Sequence, residues 1–128
     1  MGLKSSLDEI LKNIERAKRN TFTKKDVILV AATKTRSFNQ INQVYSLGIR
    51  HIGENRIQEA EGKFESFEEM PKITRRFIGH LQSNKINKFI KLFDTIDSID
   101  SYRLANKINA RIEQRKLTGL IEVNTSGD

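Results

Sequence analysis

Short apolar runs recur along this chain about every 20 to 25 residues, each followed by a stretch with helical apolar spacing, and that alternation dictates consecutive βα units on a parallel sheet. The clearest run is Val27 to Ala32, six apolar residues without period-2 alternation, the pattern of a strand buried on both faces. It stops at Thr33 and delivers a single lysine, Lys34, at the strand's carboxyl end. Ser37, with Gln40 three residues on, is a capping-box start for the helix behind it. Ligands of βα folds sit at the carboxyl ends of strands, so Lys34 is a candidate functional group. An ammonium at the mouth of an apolar strand loses water, which favours the neutral amine, and a free amine can form a Schiff base with an aldehyde. The competing reading is a rim lysine with its head in water, or a structural ion pair.

The remaining elements follow in order. Leu7, Ile10, Leu11 and Ile14 recur at helical spacing after Ser6, which has Glu9 three residues on, so an amphipathic helix capped by Ser6 opens the chain. Ile41, Val44 and Leu47 share one helix face that Gly48 closes as a left-handed cap. A strand over Ile49 to Ile52 runs into Gly53-Glu54-Asn55, and the next helix carries Ile57, Ala60 and Phe64. Strand three covers Arg76 to Ile78, with Ser83 set to cap a helix that buries Ile86, Phe89, Ile90 and Phe93. Thr95 to Asp97 is a fourth strand, Ser101 opens a helix with Leu104, Ala105, Ile108 and Ile112 inward, and Leu120 to Val123 is a fifth strand.

Two architectures suit this beat. Five units in 128 residues fit an open doubly wound sheet, whereas a closed eight-stranded barrel takes roughly 250 residues. The strand tips favour the barrel: Lys34, Glu54 and Asn55, His80 and Gln82, Asp97 and Ser98, then Asn124 and Ser126 put polar groups at the end of every strand. An open sheet gathers its site at one switch point, while a barrel mouth draws on many strands.

Composition narrows the chemistry. Cysteine is absent, which excludes disulfides, thiolate zinc sites and Cys nucleophiles. No basic-then-apolar leader is present, so a cytoplasmic protein is expected, and no apolar run suits a membrane span. The net charge of +7 raises an anionic partner, yet the Lys and Arg residues are spread through every segment without stacking aromatics between them, and a solvated helix surface accounts for them. His51 and His80 follow strands two and three but lack acidic neighbours in sequence, so no metal site is expected. Asn55 could orient a polar ligand and Glu54 neutralise a cation, although taken alone Asn55 reads first as an ordinary cap for the helix after it. The junction Gly79 to Lys85 could hold an anion. Phosphate-loop, dinucleotide and nucleophile-elbow patterns are missing.

Taken jointly, Val30-Ala31-Ala32-Thr33-Lys34-Thr35, Ile52-Gly53-Glu54-Asn55 with Gln58-Glu59, Phe77-Ile78-Gly79-His80-Leu81-Gln82-Ser83-Asn84-Lys85, Ile96-Asp97-Ser98 and Glu122-Val123-Asn124-Thr125-Ser126 resemble the pyridoxal phosphate homeostasis proteins, the YggS-like or proline synthase co-transcribed family. The resemblance implies a (β/α) barrel of the TIM type, as in the N-terminal domain of alanine racemase. It implies pyridoxal 5′-phosphate as cofactor, held as a Schiff base on Lys34, with Asn55 beside the ring and His80 and Gln82 at the barrel mouth. It implies a role in homeostasis of that cofactor without catalysis, and hence no catalytic residue.

This sequence departs from the family pattern in two ways. Arg75-Arg76 stands where relatives carry an aromatic residue and a histidine, so the wall of strand three is expected to be more basic. The family also has about twice the length, and its missing half carries the segments that hold the cofactor phosphate. Residues 1–128 are therefore expected to be the N-terminal portion of a barrel, a partial one of about five strands, that bears the lysine but not the phosphate cradle. Such a portion would be monomeric once completed and prone to oligomerise or swap when alone. The rival functions are a basic polyanion or RNA-binding module and a fragment of a racemase-like enzyme. A receiver-like signalling domain lacks the acidic pair its first strand would carry.

Overall fold

The computed structural model describes residues 2–65 and 70–127. Helices and strands alternate: α1 (Leu3–Arg19), β1 (Val30–Ala32), α2 (Phe38–Ser46), β2 (His51–Glu54), α3 (Ile57–Phe64), β3 (Thr74–Phe77), α4 (Ile86–Leu92) after a 3-10 turn at Ser83–Lys85, β4 (Thr95–Ile99), α5 (Tyr102–Arg111) and β5 (Thr118–Ile121). All five strands lie in one parallel sheet, in the order β1-β2-β3-β4-β5. Each strand thus pairs with the next in sequence. Because βα crossovers are right-handed almost without exception, successive helices then fall on the same face of the sheet. A doubly wound sheet must reverse its strand order at a switch point, and the sequential order here overturns that alternative. The winding is that of a (β/α) barrel left open, with β1 and β5 as its edges.

Strand alternation sorts the side chains. Ile52, Phe77 and Ile96 face the helices and join Ile41, Ile57, Ala60, Phe64, Ile86, Phe89, Phe93, Leu104 and Ile108 in one core. Phe77 is its pivot: its ring meets Phe93 edge-on at 5.2 Å and Phe89 at 5.8 Å, and Phe93 in turn meets Phe64 at 5.1 Å. Each such side chain contributes about 2 kcal/mol on burial, which fixes α3 and α4 against β3.

The opposite face, the inside of the incomplete barrel, is polar. Arg76 Nε donates to Asp97 Oδ2 at 2.8 Å, Arg76 Nη1 lies 3.1 Å from His51 Nδ1, and Thr95 Oγ1 donates to Asp97 Oδ1 at 3.0 Å. The register that sets Gly53 opposite Arg76, and Arg76 opposite Thr95, brings these residues level. The more basic wall expected from Arg75-Arg76 is therefore balanced by acids: Asp97 takes Arg76 on the inside, and Asp94 takes Arg75 on the helix side at 3.3 Å.

Several boundaries differ from the sequence reading. Helix α1 begins at Leu3 with Gly2 as its cap, so Ser6 lies within the helix and does not cap it; only Leu7 on its apolar stripe is buried. Strand β1 is three residues long, and Val27 and Ile28 are more than half exposed rather than buried on both faces. The cause is β1's position as an edge strand with no strand beyond it. The capping box of Ser37 and Gln40 forms, Gly48 adopts φ 103°, and Ser101 accepts from the Leu104 amide. Among the described residues no helix is long and apolar enough to cross a membrane.

Burial, and then the Arg76 guanidinium, hold His51 below its ordinary pKa against a smaller opposite pull from Asp97. The folded chain thus resists a proton that the unfolded chain accepts below about pH 6.5, so stability is expected to fall as the pH drops through that point. His51→Gln, which keeps an acceptor for Arg76, should flatten the fall between about pH 7.5 and about pH 5.5 in urea titrations; an unchanged slope would remove His51 as its source. Separately, Ile121 and Val123 on and after β5 are 79% and 69% exposed, and open sheet edges recruit partners. Size-exclusion chromatography with light scattering should show an oligomer, a swapped dimer or aggregation, whereas a sharply melting monomer would mean that these edges are protected.

Candidate functional site

The loop that carries Lys34 is held on both sides of the lysine. Thr33 follows β1 and is buried. Its N–H donates to the Gly53 carbonyl at 2.9 Å, and its hydroxyl lies within hydrogen-bonding distance of both that carbonyl and Glu54 Oε2. Glu54 has no exposed surface. A buried carboxylate needs a counter-charge, and Lys63, on α3, supplies it with Nζ 3.0 Å from Glu54 Oε1. The same ammonium donates to the Thr33 carbonyl at 2.8 Å and pairs with Glu59 at 2.8 Å. Glu59 then accepts the Thr35 N–H at 2.5 Å. Its carboxyl is held below the usual range, first by the Lys63 hydrogen bond and, more weakly, by the Thr35 amide, despite an opposing effect of burial.

Lys34 stands between these anchored neighbours and is exposed. Among the described residues its amine has neither a hydrogen-bond nor an ion-pair partner. The loss of water expected at the mouth of an apolar strand is not met, because Ala32, the preceding residue of β1 on the same strand face, is itself exposed. The rim position anticipated as the alternative is the one observed.

The tips of β2, β3 and β4 meet beside it. Gly79 is pressed so closely on Asn55 that a Cβ there would lie 2.6 Å from the Asn55 carbonyl oxygen, a clash that neither backbone could absorb cheaply. The Gly79 carbonyl accepts from Ser98 Oγ. Asn55 is half-buried and does not cap α3, whose N-cap is Arg56; the expected capping role is overturned because the chain straightens one residue later. Asn55, His80 and Gln82 line one cleft of about 430 Å³, together with Arg56, Gln58 and Lys85. His80 is largely exposed, with Nδ1 3.4 Å from Asp100. Ser83 does not cap a helix; its hydroxyl accepts from Lys107, and Lys85 closes a 3-10 turn on Gln82. The structure thus brings together three of the four sequence-derived residues, Asn55, His80 and Gln82, and sets Lys34 at the end of the neighbouring strand, two residues past Ala32 as Asn55 is two past its register partner Gly53.

The sequence motifs include Thr35 and Glu59 without giving them a role, and Lys63 stands outside them. The spacing Glu59 to Lys63 is a helical i,i+4 pair, a visible signal, but that it turns inward beneath β1 and β2 is set by packing. Among the described residues no group of His, Asp and Glu side chains is arranged to hold a metal ion.

Comparison with known proteins gives these residues a context. No family model matches the chain. The pyridoxal phosphate homeostasis protein of Synechocystis is 42% identical over 88 residues, covering 69% of this chain and 40% of that protein. Its namesake in Helicobacter pylori is 33% identical over 130 residues, covering 98% of this chain and 58% of the relative. Among solved structures, PipY of Synechococcus elongatus with PLP bound aligns with a TM-score of 0.63 at 32% identity, over 77% of this chain and 46% of PipY. An unknown protein from Bifidobacterium adolescentis reaches a TM-score of 0.72 at 32% identity, over 91% of this chain and 58% of that one. The chain spans about half the length of the curated relatives it matches. Its likeness to the pyridoxal phosphate homeostasis proteins, read first from motifs at the strand tips, holds in sequence and in three dimensions.

Proposed function

We propose that this chain is the lysine-bearing part of a (β/α) barrel that binds pyridoxal 5′-phosphate and serves cellular homeostasis of that cofactor, with Lys34 as its covalent anchor. The observation that carries the reading is the state of Lys34: an amine without a partner among the described residues, at a strand's carboxyl end, between two residues whose backbones are pinned. The lysine nearest to this loop on α3, Lys63, is by contrast committed to Glu54 and Glu59. When bound, the cofactor would supply an aldehyde, and Lys34 would hold it by its amine, condensing with that carbonyl with loss of water.

The other residues have roles that their chemistry permits. Asn55, at the level of Lys34 on the next strand, can donate to or accept from a ring substituent, and its close contact with Gly79 limits its movement. His80 and Gln82 border the adjoining cleft, and Arg56 and Lys85 give it a positive potential suited to an anionic ligand. The residues present therefore fit the covalent end of the cofactor. An eight-stranded barrel needs three strands beyond the five seen here, and we assign the phosphate cradle to that further part, with residues 1–128 as the N-terminal portion. Closing the barrel would also face the now open inner side of β1 and remove water from Lys34.

A carrier rather than an enzyme is the reading we adopt. Racemisation requires an acid or base on the side of the cofactor opposite the lysine, and holding the cofactor does not. A cytoplasmic location belongs to the same proposal. The polyanion-binding alternative draws on the net charge, but Lys63, Arg75 and Arg76 are each paired with acids.

The test is covalent. The protein is mixed with pyridoxal phosphate and reduced with borohydride, and the modified lysines are mapped by mass spectrometry. Lys34 should be modified ahead of the other lysines, and Lys34→Ala should abolish the preferred adduct while leaving the melting temperature in place. Uniform modification of surface lysines with Lys34 unremarkable among them would overturn the assignment.

A further inference from the structure

Thr33 to Arg36 forms a reverse turn closed by the Arg36 N–H on the Thr33 carbonyl at 3.0 Å. Lys34 is its second residue and Thr35 its third. Thr35 has φ +64°, a conformation that turns of this kind give to glycine or asparagine and that is an outlier for a β-branched residue. Such strain persists only where the surroundings enforce it. Thr33 is held from β2 by the Gly53 carbonyl and Glu54, and the groups that hold the rest of the turn come from α3. Glu59 accepts the Thr35 N–H at 2.5 Å, Lys63 pairs with Glu59 at 2.8 Å, and Lys63 also donates to the Thr33 carbonyl at 2.8 Å. Both peptide neighbours of Lys34 are thereby held by one carboxylate and one ammonium, four residues apart on one helix face, while the Lys34 side chain itself is left free.

We propose that Glu59, acting with Lys63, is a positioning residue for Lys34: it clamps a strained turn so that the amine is presented at one place on the strand tip. This rests on the reading of Lys34 as the cofactor's anchor, but the clamp is also a property of the unliganded chain. Holding the backbone leaves only side-chain torsions to be ordered when a carbonyl arrives, and such pre-organisation speeds bond formation. Glu54 by contrast is fully buried and joins the strands. The partly exposed Glu59 reaches the residue directly after the lysine, so its effect should show on Lys34 beyond any effect on folding.

The experiment compares the wild type with Glu59→Ala and Glu59→Gln by two readouts. The first is amide exchange at Thr35 without cofactor. The second is the rate at which Lys34 is trapped by pyridoxal phosphate and borohydride, relative to exposed Lys12 in the same molecule. Glu59→Ala should speed Thr35 exchange and slow Lys34 trapping about tenfold against Lys12, and Glu59→Gln, which retains an acceptor for the Thr35 N–H, should restore most of both. In a Thr35→Gly background, where the left-handed turn needs no holding, Glu59→Ala should slow trapping far less; this comparison decides the matter if Glu59→Ala alone folds poorly. Wild-type values of both readouts in Glu59→Ala, or an equal loss in the Thr35→Gly background, would overturn the clamp. Failure of the wild type to trap at Lys34 would instead overturn the anchor, and Thr35 exchange would still decide the clamp.

Discussion

The ion pair between Glu54 and Lys63 is the contact on which the working end of this protein depends. A carboxylate without exposed surface is costly to desolvate, and here the cost is offset by an ammonium at 3.0 Å and a hydroxyl from Thr33. The three groups come from β2, α3 and the residue after β1, so one charge pair joins a strand, its neighbour and the helix above them. Breaking a buried pair by removing one partner costs about 3 to 5 kcal/mol, a large share of the stability of a small domain. The loop bearing Lys34 is thus tied to a buried charge pair, and through Glu59 the tie extends to the residue that follows the lysine.

The fold places that contact where chemistry can use it. The apolar residues of β2, β3 and β4 are spent on the helix side, around Phe77, Phe89 and Phe93. The opposite face carries His51, Arg76, Thr95 and Asp97 in a hydrogen-bonded row. Among the described residues every buried side-chain nitrogen and oxygen has a partner, so this interior is a settled polar surface. Sequential winding then directs all five strand ends to the same rim, where Asn55, His80 and Gln82 share one cleft.

What the sequence revealed, and what it hid, divides along the range of the interactions. Local signals were legible: the capping box of Ser37 and Gln40, the left-handed Gly48, the cap at Ser101, and the apolar faces of α3, α4 and α5. Ser6 with Glu9 has the same local form and is no cap, because Leu3 lengthens the helix by a turn. Val27 and Ile28 read as buried strand but lie outside the sheet, for burial of an edge strand depends on a neighbour that local pattern cannot supply. The position of Lys34 just past the end of β1 was legible from the apolar run before it. Its clamp was not, since Glu59 and Lys63 meet it only through the crossover that lays α3 over β1 and β2. The basic appearance of Arg75-Arg76 likewise dissolves once the register brings Asp94 and Asp97 alongside.

The central claim is that a buried carboxylate–ammonium pair fixes the strand end that presents Lys34, and a double-mutant cycle measures it most directly. Glu54→Gln, Lys63→Met and their combination would be compared with the wild type by urea unfolding. The account predicts that each single change costs about 3 kcal/mol or more and that the double change costs well under their sum, with a coupling energy of about 2 kcal/mol. Single effects that add to within about 0.5 kcal/mol would contradict it, since the two groups would then stabilise the fold independently and the tip of β1 would owe its position to something else.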